Sequence, residues 1–201
     1  MRPTHREGPP PGLPPRHALR DLQAARGTTL TGRRTGVRLL ALGIALLGLG
    51  LDQLVKAACV AFLEPGVPVP LVGSLLQLNL IRNPGAAFGM GAEATIVFTV
   101  FAIVATLACL GYALPRITRV WHGVVLGMLL AGITGNLVDR ITQPPSVLHG
   151  HVVDMFQLRG FAIFNVADMF ITCAAVVLIG FSFLGDRRTS EEAEAKETAD
   201  A

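Results

Sequence analysis

Four apolar runs, at about 37–62, 95–114, 121–138 and 162–184, organise the chain. Three reach the roughly 20 residues a helix needs to cross the hydrocarbon core of a bilayer, and the third sits at the low end of the spanning range. The pattern predicts an all-α membrane protein with four transmembrane helices. Two loops, 63–94 and 139–161, then form a small, partly β region on the outer side. Residues 1–36 are rich in Pro, Arg and Gly and lack apolar periodicity, which predicts a disordered arm. Residues 37–185 hold the four spans, and residues 186–201 form an acidic tail.

Charge orients this frame. Eight arginines precede Leu39, Arg116 and Arg119 flank the link between the second and third runs, and Arg187-Arg188 follow the fourth. The positive-inside rule puts all of them in the cytoplasm, with both termini. Trp121, the only tryptophan, opens the third run where an interfacial anchor belongs. The first run is too long for a cleaved signal peptide, carries Asp52, and has Lys56 where a lipoprotein cleavage motif needs Leu.

Composition agrees: 51% of residues are hydrophobic and 15% charged, with a mean hydropathy of +0.54, too apolar for an ordinary soluble domain. No basic face on a folded domain supports nucleic-acid binding. Cys59, Cys109 and Cys173 fall in separate apolar runs without metal-ligand spacing, so they read as small buried apolar residues.

Against this background the carboxylates stand out, because an ionisable group at the bilayer edge is costly and defaults to function. Asp154 lies in His149-Gly150-His151-Val152-Val153-Asp154, and Asp168 in Phe164-Asn165-Val166-Ala167-Asp168. The link between them is long enough to fold back and bring both to one point. Asp168 lies about 9 Å along a helix that starts at Ala162, which predicts a carboxylate inside the span and not a cap. Asp52 and Lys56, four apart, share a helix face. They read as a structural ion pair, with a lining of the substrate cavity as the alternative.

Asn83-Pro84-Gly85 is turn chemistry, although Asn83 has the groups to bind an extended peptide. Gly123, Gly127, Ala131 and Gly135 recur every four residues, a small-residue stripe for close helix packing. Asn136, Asp139 and Arg140 then place three polar side chains within little more than one turn at the lipid boundary. His149 and His151 invite a metal, but no HExxH or comparable spacing accompanies them, so no metal or other cofactor is expected.

Taken in order, Asp52-Gln53-Leu54-Val55-Lys56, Asn83-Pro84-Gly85-Ala86-Ala87-Phe88, Gly135-Asn136-Leu137-Val138-Asp139-Arg140, Val152-Val153-Asp154 and Phe164-Asn165-Val166-Ala167-Asp168 resemble the motifs of the lipoprotein signal peptidase (signal peptidase II) family. The resemblance covers about residues 38–185. Ala131 replaces a frequent glycine and Met155 a usual Phe, and neither position is a proposed catalytic group.

The resemblance implies an aspartic endopeptidase of the bacterial cytoplasmic membrane, acting on diacylglyceryl-modified prolipoproteins at the outer face, as a monomer in contact with membrane lipid. It makes Asp154 and Asp168 the catalytic dyad. Asn83, Asn136 and Arg140 would bind substrate, Asn165 would support the dyad, and Asp52, Lys56 and Asp139 would hold the site together. Two other classes compete. A proton-coupled carrier needs mid-span charges and an internal repeat, and the charges here cluster near the outer ends with no repeat. A non-catalytic scaffold using polar residues for helix association leaves the two loop motifs unexplained.

Overall fold

The computed structural model describes residues 16–85 and 95–199, with side chains described over 20–21, 32–85 and 95–182. Helix α1 runs Arg16–Phe62, and a hairpin of β1 (Val69–Val72) and β2 (Leu76–Asn83) follows. Helix α2 (Thr95–Ala108) continues through a π turn, Cys109–Ala113, and a 3₁₀ turn, Leu114–Arg116. Helix α3 (Val120–Thr142), strands β3 (Val152–Leu158) and β4 (Ile163–Phe164), and helix α4 (Val166–Ala199) complete the chain.

Three helical stretches are long and apolar enough to cross a membrane: Gly32–Phe62, Thr95–Arg116 and Val120–Thr142. The described apolar part of α4, Val166–Ser182, is shorter. Large apolar side chains such as Leu47, Phe101, Leu107 and Val176 are exposed on these helices, as they are where lipid is the solvent. The backbone is helical over 16–36, where the disordered arm is expected, and residues 1–15 lie outside the described part. The backbone of α4 likewise continues through most of the acidic tail.

The small-residue stripe of α3 forms its seam with α1. A Cβ on Gly123 would lie 3.0 Å from the Val37 carbonyl oxygen, and one on Gly127 2.7 Å from that of Ala41. Further along, Ala131 meets Gly48 and Gly135 meets Asp52. The two helices therefore run side by side in the same direction. On another side of α3, a Cβ on Gly132 would run into the Ala167 carbonyl oxygen at the start of α4. Close backbone approach, which glycine alone permits here, sets where α4 begins.

The four strands form one antiparallel sheet in the order β1-β2-β3-β4. β2 pairs with β3 so that Asn83 opposes Val152 and Ile81 opposes Asp154. Alternation along β3 splits its faces. Val153 and Met155 pack with Cys59 and Leu80, while Val152 and Asp154 face a cavity.

The fourth apolar run is not helical from its start: Ile163–Phe164 pairs with β3 as β4, and α4 begins only at Val166. Hydropathy does not separate these readings, since a short apolar strand and the first turn of a span look alike.

Candidate active site

The later start of α4 changes the reading of Asp168. Asn165 is the residue before the helix and Asp168 is its third residue. The Asp168 backbone N–H donates to Asn165 Oδ1 at 3.0 Å, and the Asn165 backbone N–H donates to Asp168 Oδ2 at 3.2 Å. This is a reciprocal capping box, so Asp168 does cap its helix, contrary to the expectation of a carboxylate buried inside the span. Its other oxygen, Oδ1, accepts from Asn136 Nδ2 at 2.8 Å.

Asp154 reaches the same point from the sheet. It is buried; Oδ2 accepts from Asn83 Nδ2 at 2.9 Å and Oδ1 from Asn165 Nδ2 at 2.6 Å. Asn165, itself without solvent exposure, therefore touches both carboxylates. Burial pushes the Asp154 carboxyl up from the ordinary 3.8 to about 7; the nearby Asp168 charge adds to the rise, while the Asn83 and Asn165 hydrogen bonds and Lys56 oppose it.

Asn83 is fixed by a turn closed on itself, its Oδ1 accepting from the Gly85 N–H at 3.0 Å. Asn136 Oδ1 accepts from Asn165 Nδ2 at 3.1 Å and Lys56 Nζ at 3.3 Å. Arg140 donates from Nη1 to the Asn136 carbonyl at 3.1 Å. Its buried Nε has no partner, and the side chain lines the cavity.

Behind this layer lies an ionic one. Lys56 Nζ sits 2.8 Å from Asp52 Oδ2 and 2.7 Å from Asp139 Oδ2, with all three side chains buried. The other Asp52 oxygen accepts from the Ala167 N–H at 2.9 Å, at the start of α4. Asp139 Oδ2 also accepts from the Val153 N–H at 3.0 Å, one residue before Asp154. Each carboxylate thus grips the backbone next to one member of the Asp154/Asp168 pair, and Lys56 ties the grips together. Asp52 and Lys56 stand behind the cavity and do not line it.

The cavity has a volume of about 450 Å³. Asn83, Asn136, Arg140, Asp154 and Asp168 supply its polar wall, and Phe161, Phe164 and Met169 an apolar one. Two participants went unnoticed in the sequence, and a third was read differently. Gln53 Nε2 reaches Asp52, the Gly135 carbonyl and Asp139 at 3.1–3.3 Å; its place between Asp52 and Lys56 in the first motif was the available signal. Thr99 ties α2 to the loop between α3 and β3 by donating to the Leu148 carbonyl at 2.8 Å. Cys173, expected to be buried like Cys59 and Cys109, is exposed and lines the cavity, because it lies on the face of α4 that carries Met169.

His149 rests against the Val147 carbonyl. Among the described residues no group of three or more His, Cys, Asp or Glu side chains converges as a metal set would.

The polar wall drawn from β2, α3, β3 and α4, with the α1 ion pair behind it, lies within the length of chain that matches known proteins. The family model for Signal peptidase (SPase) II matches residues 44–184. A lipoprotein signal peptidase of Rhodococcus jostii is 41% identical over 152 residues, covering 74% of each chain. One of Mycobacterium tuberculosis is 38% identical over 146 residues, covering 72% of this chain and 71% of that one. A bacterial membrane enzyme solved by the in meso method superposes with a TM-score of 0.64 at 26% identity, covering 73% of this chain and 88% of the other. The match takes in Asp52, Asn83, Asp154 and Asp168 together with the helices and strands that carry them, and on that extent the chain belongs to the signal peptidase II family, the lipoprotein signal peptidases.

Proposed function

We propose that this chain is an aspartic endopeptidase that removes the signal peptide from diacylglyceryl-modified prolipoproteins, cutting on the N-terminal side of the lipidated cysteine. The observation that carries this reading is Asn165, whose side-chain amide donates to Asp154 and whose backbone N–H donates to Asp168, so that one residue holds carboxylates from two different elements at the wall of a half-apolar cavity. Family membership supports a protease acting on lipoprotein signal peptides, and the paired carboxylates supply a mechanism.

Two neighbouring carboxylates do not both ionise cheaply, so the pair shares a proton and titrates as a unit. Asp154, raised to about 7 by burial, is the member that holds the proton near neutrality. Asp168, less buried and at the positive end of α4, is the base. It takes a proton from water, which attacks the scissile carbonyl, while Asp154 protonates the carbonyl oxygen. The roles reverse as the amine leaves. Arg140, with its unpartnered Nε, and Asn136 are placed to receive substrate carbonyls. The apolar wall suits the lipid and the hydrophobic part of the signal peptide. Residues 162–184 act as the fourth span from Val166 onward, both termini face the cytoplasm by the positive-inside rule, and the site opens towards the outer face of the cell membrane. The protein works as a monomer and needs no cofactor.

The test is a gel-shift cleavage assay in detergent on a prolipoprotein with and without its diacylglyceryl group. Cleavage of only the lipidated form, lost in both Asp154→Asn and Asp168→Asn, is expected. Substantial turnover by folded Asp168→Asn protein would refute the dyad, and cleavage of the unlipidated form at the same rate would refute the substrate assignment.

A further inference from the structure

A second cavity lies at the opposite end of the helices. It is a groove of about 550 Å³ lined by Arg33 of α1, Arg119 and Val120, Trp121 and Val124 of α3, and Val177 and Phe181 of α4. From Trp121 to Asn136, fifteen residues of helix separate it from the Asp154/Asp168 wall by about 22 Å.

Its lining is of two chemistries. Two exposed arginines border it, and the rest of the wall is hydrocarbon and aromatic. Trp121 and Phe181 close one side as a stacked pair, with ring centroids 4.8 Å apart and planes 9° from parallel. No carboxylate lines the groove, and among the described residues none forms an ion pair with Arg33 or Arg119. Other arginines at this end are engaged: Arg38 donates to the Pro115 carbonyl, and Arg116 lies over the Tyr112 ring and donates to the Tyr112 carbonyl.

We infer that this groove is a binding site for an anionic phospholipid, its phosphate held between Arg33 and Arg119 and one acyl chain laid along Val120, Val124, Val177 and Phe181. Guanidinium groups match phosphate oxygens in charge and in fork geometry. A phosphate bound there sits at headgroup depth, because Trp121 marks the interface. Basic clefts between transmembrane helices on the cytoplasmic side recognise lipid headgroups in this way. A peptide ligand would leave two unpaired cations or an unmatched apolar wall; a diacyl phospholipid satisfies both halves.

Trp121 is the chain's only tryptophan, so its fluorescence reports occupancy directly. The full-length protein is placed in phosphatidylcholine nanodiscs containing a small fraction of acyl-brominated phosphatidylglycerol or, separately, acyl-brominated phosphatidylcholine, and quenching is compared. Each basic side chain near an anionic surface contributes about 1 kcal/mol, so two predict roughly a 30-fold preference for the anionic lipid. Arg33→Gln/Arg119→Gln brings the preference close to unity while prolipoprotein cleavage continues. A measurement that needs no variant uses unbrominated competitors: phosphatidylglycerol reverses the quenching, and diacylglycerol, which has the chains without the phosphate, does not. Equal quenching by both brominated lipids, or equal competition by diacylglycerol, would overturn the proposal. A preference that appears only after removal of residues 186–201 would make the acidic tail the occupant and would also overturn it.

Discussion

Lys56→Met is the substitution that most directly probes how the site is held. The methionine keeps the volume and removes the charge, leaving Asp52 and Asp139 buried without the cation that lies 2.7–2.8 Å from each. Breaking a buried ion pair by deleting one partner costs about 3–5 kcal/mol, because the remaining charge is left uncompensated. Two carboxylates are stranded here, so the upper part of that range is expected. For a chain of this size the loss lowers Tm by on the order of 10 °C. The carboxylates then protonate or turn away, and their grips on the Ala167 and Val153 N–H groups loosen. Those N–H groups belong to the residues immediately before Asp168 and Asp154, so the pair separates. A misplacement of about 1 Å in a reacting group costs on the order of 100-fold in rate. The assay is thermal unfolding in detergent beside cleavage of a lipidated prolipoprotein, on Lys56→Met, Asp139→Asn and the double variant. The double variant should be more stable than Lys56→Met alone, since one stranded charge is gone. Wild-type Tm and rate in Lys56→Met, or strictly additive effects in the double variant, would refute the reasoning.

Three other outcomes follow from the same geometry. The raised Asp154 carboxyl binds a proton in the folded protein and not in the unfolded chain between the ordinary 3.8 and about 7. Stability therefore falls as pH rises through that window, by a few kcal/mol at most; Tm measured at pH 5 and pH 8 should show the drop, and Asp154→Asn should abolish it. On the proposed mechanism cleavage should likewise decline above about pH 7, as Asp154 loses the proton it would donate. Asn165→Ser keeps a helix cap but loses the side-chain NH₂ that donates to Asp154, so it should retain stability within about 0.5 kcal/mol and lose at least 100-fold in rate. Asn165→Ala should additionally lose about 1 kcal/mol of stability, and wild-type activity in either variant would contradict the positioning role of the amide. Gly132→Ala drives a Cβ into the Ala167 carbonyl and should cost about 1–3 kcal/mol with loss of cleavage. Gly43→Ala, with open space around it, should be neutral or slightly stabilising in the same unfolding assay.

Much of this site was legible in the sequence because lipid makes polar residues conspicuous. Asn83, Asn136, Arg140, Asp154 and Asp168 each interrupt apolar surroundings, and the structure brings all five to one cavity. The stripe from Gly123 to Gly135 was legible for a similar reason, since a four-residue repeat of small side chains has one geometric meaning on a helix. What escaped depends on partners far away in the chain. Nothing near Asp52 indicates that its second oxygen caps a helix that starts more than a hundred residues later. The capping role of Asp168 was hidden by Ile163–Phe164, two apolar residues that serve as a strand but have the hydropathy of a span. Cys173 was misread because composition gives no sign of which face of an apolar helix borders a cavity and which borders lipid.

The Asp52–Lys56 pair also bears on the order in which the chain is made. The ribosome delivers α1 to the membrane well before Asp139, Asn136 or Ala167 has been synthesised. A lone carboxylate or ammonium in a span costs up to about 2.5–3.5 kcal/mol to insert, the value at the helix centre, but an aspartate and a lysine four residues apart enter as a neutral couple. The newborn first helix therefore carries its own counter-ion, which later arrivals share: Asp139 when α3 is laid beside it, then the α4 backbone at Ala167. Since Ala167 and Asp168 come together on that last helix, a partly made chain holds the ion cluster without its final backbone grip, and on the proposed mechanism it lacks one member of the pair that cuts.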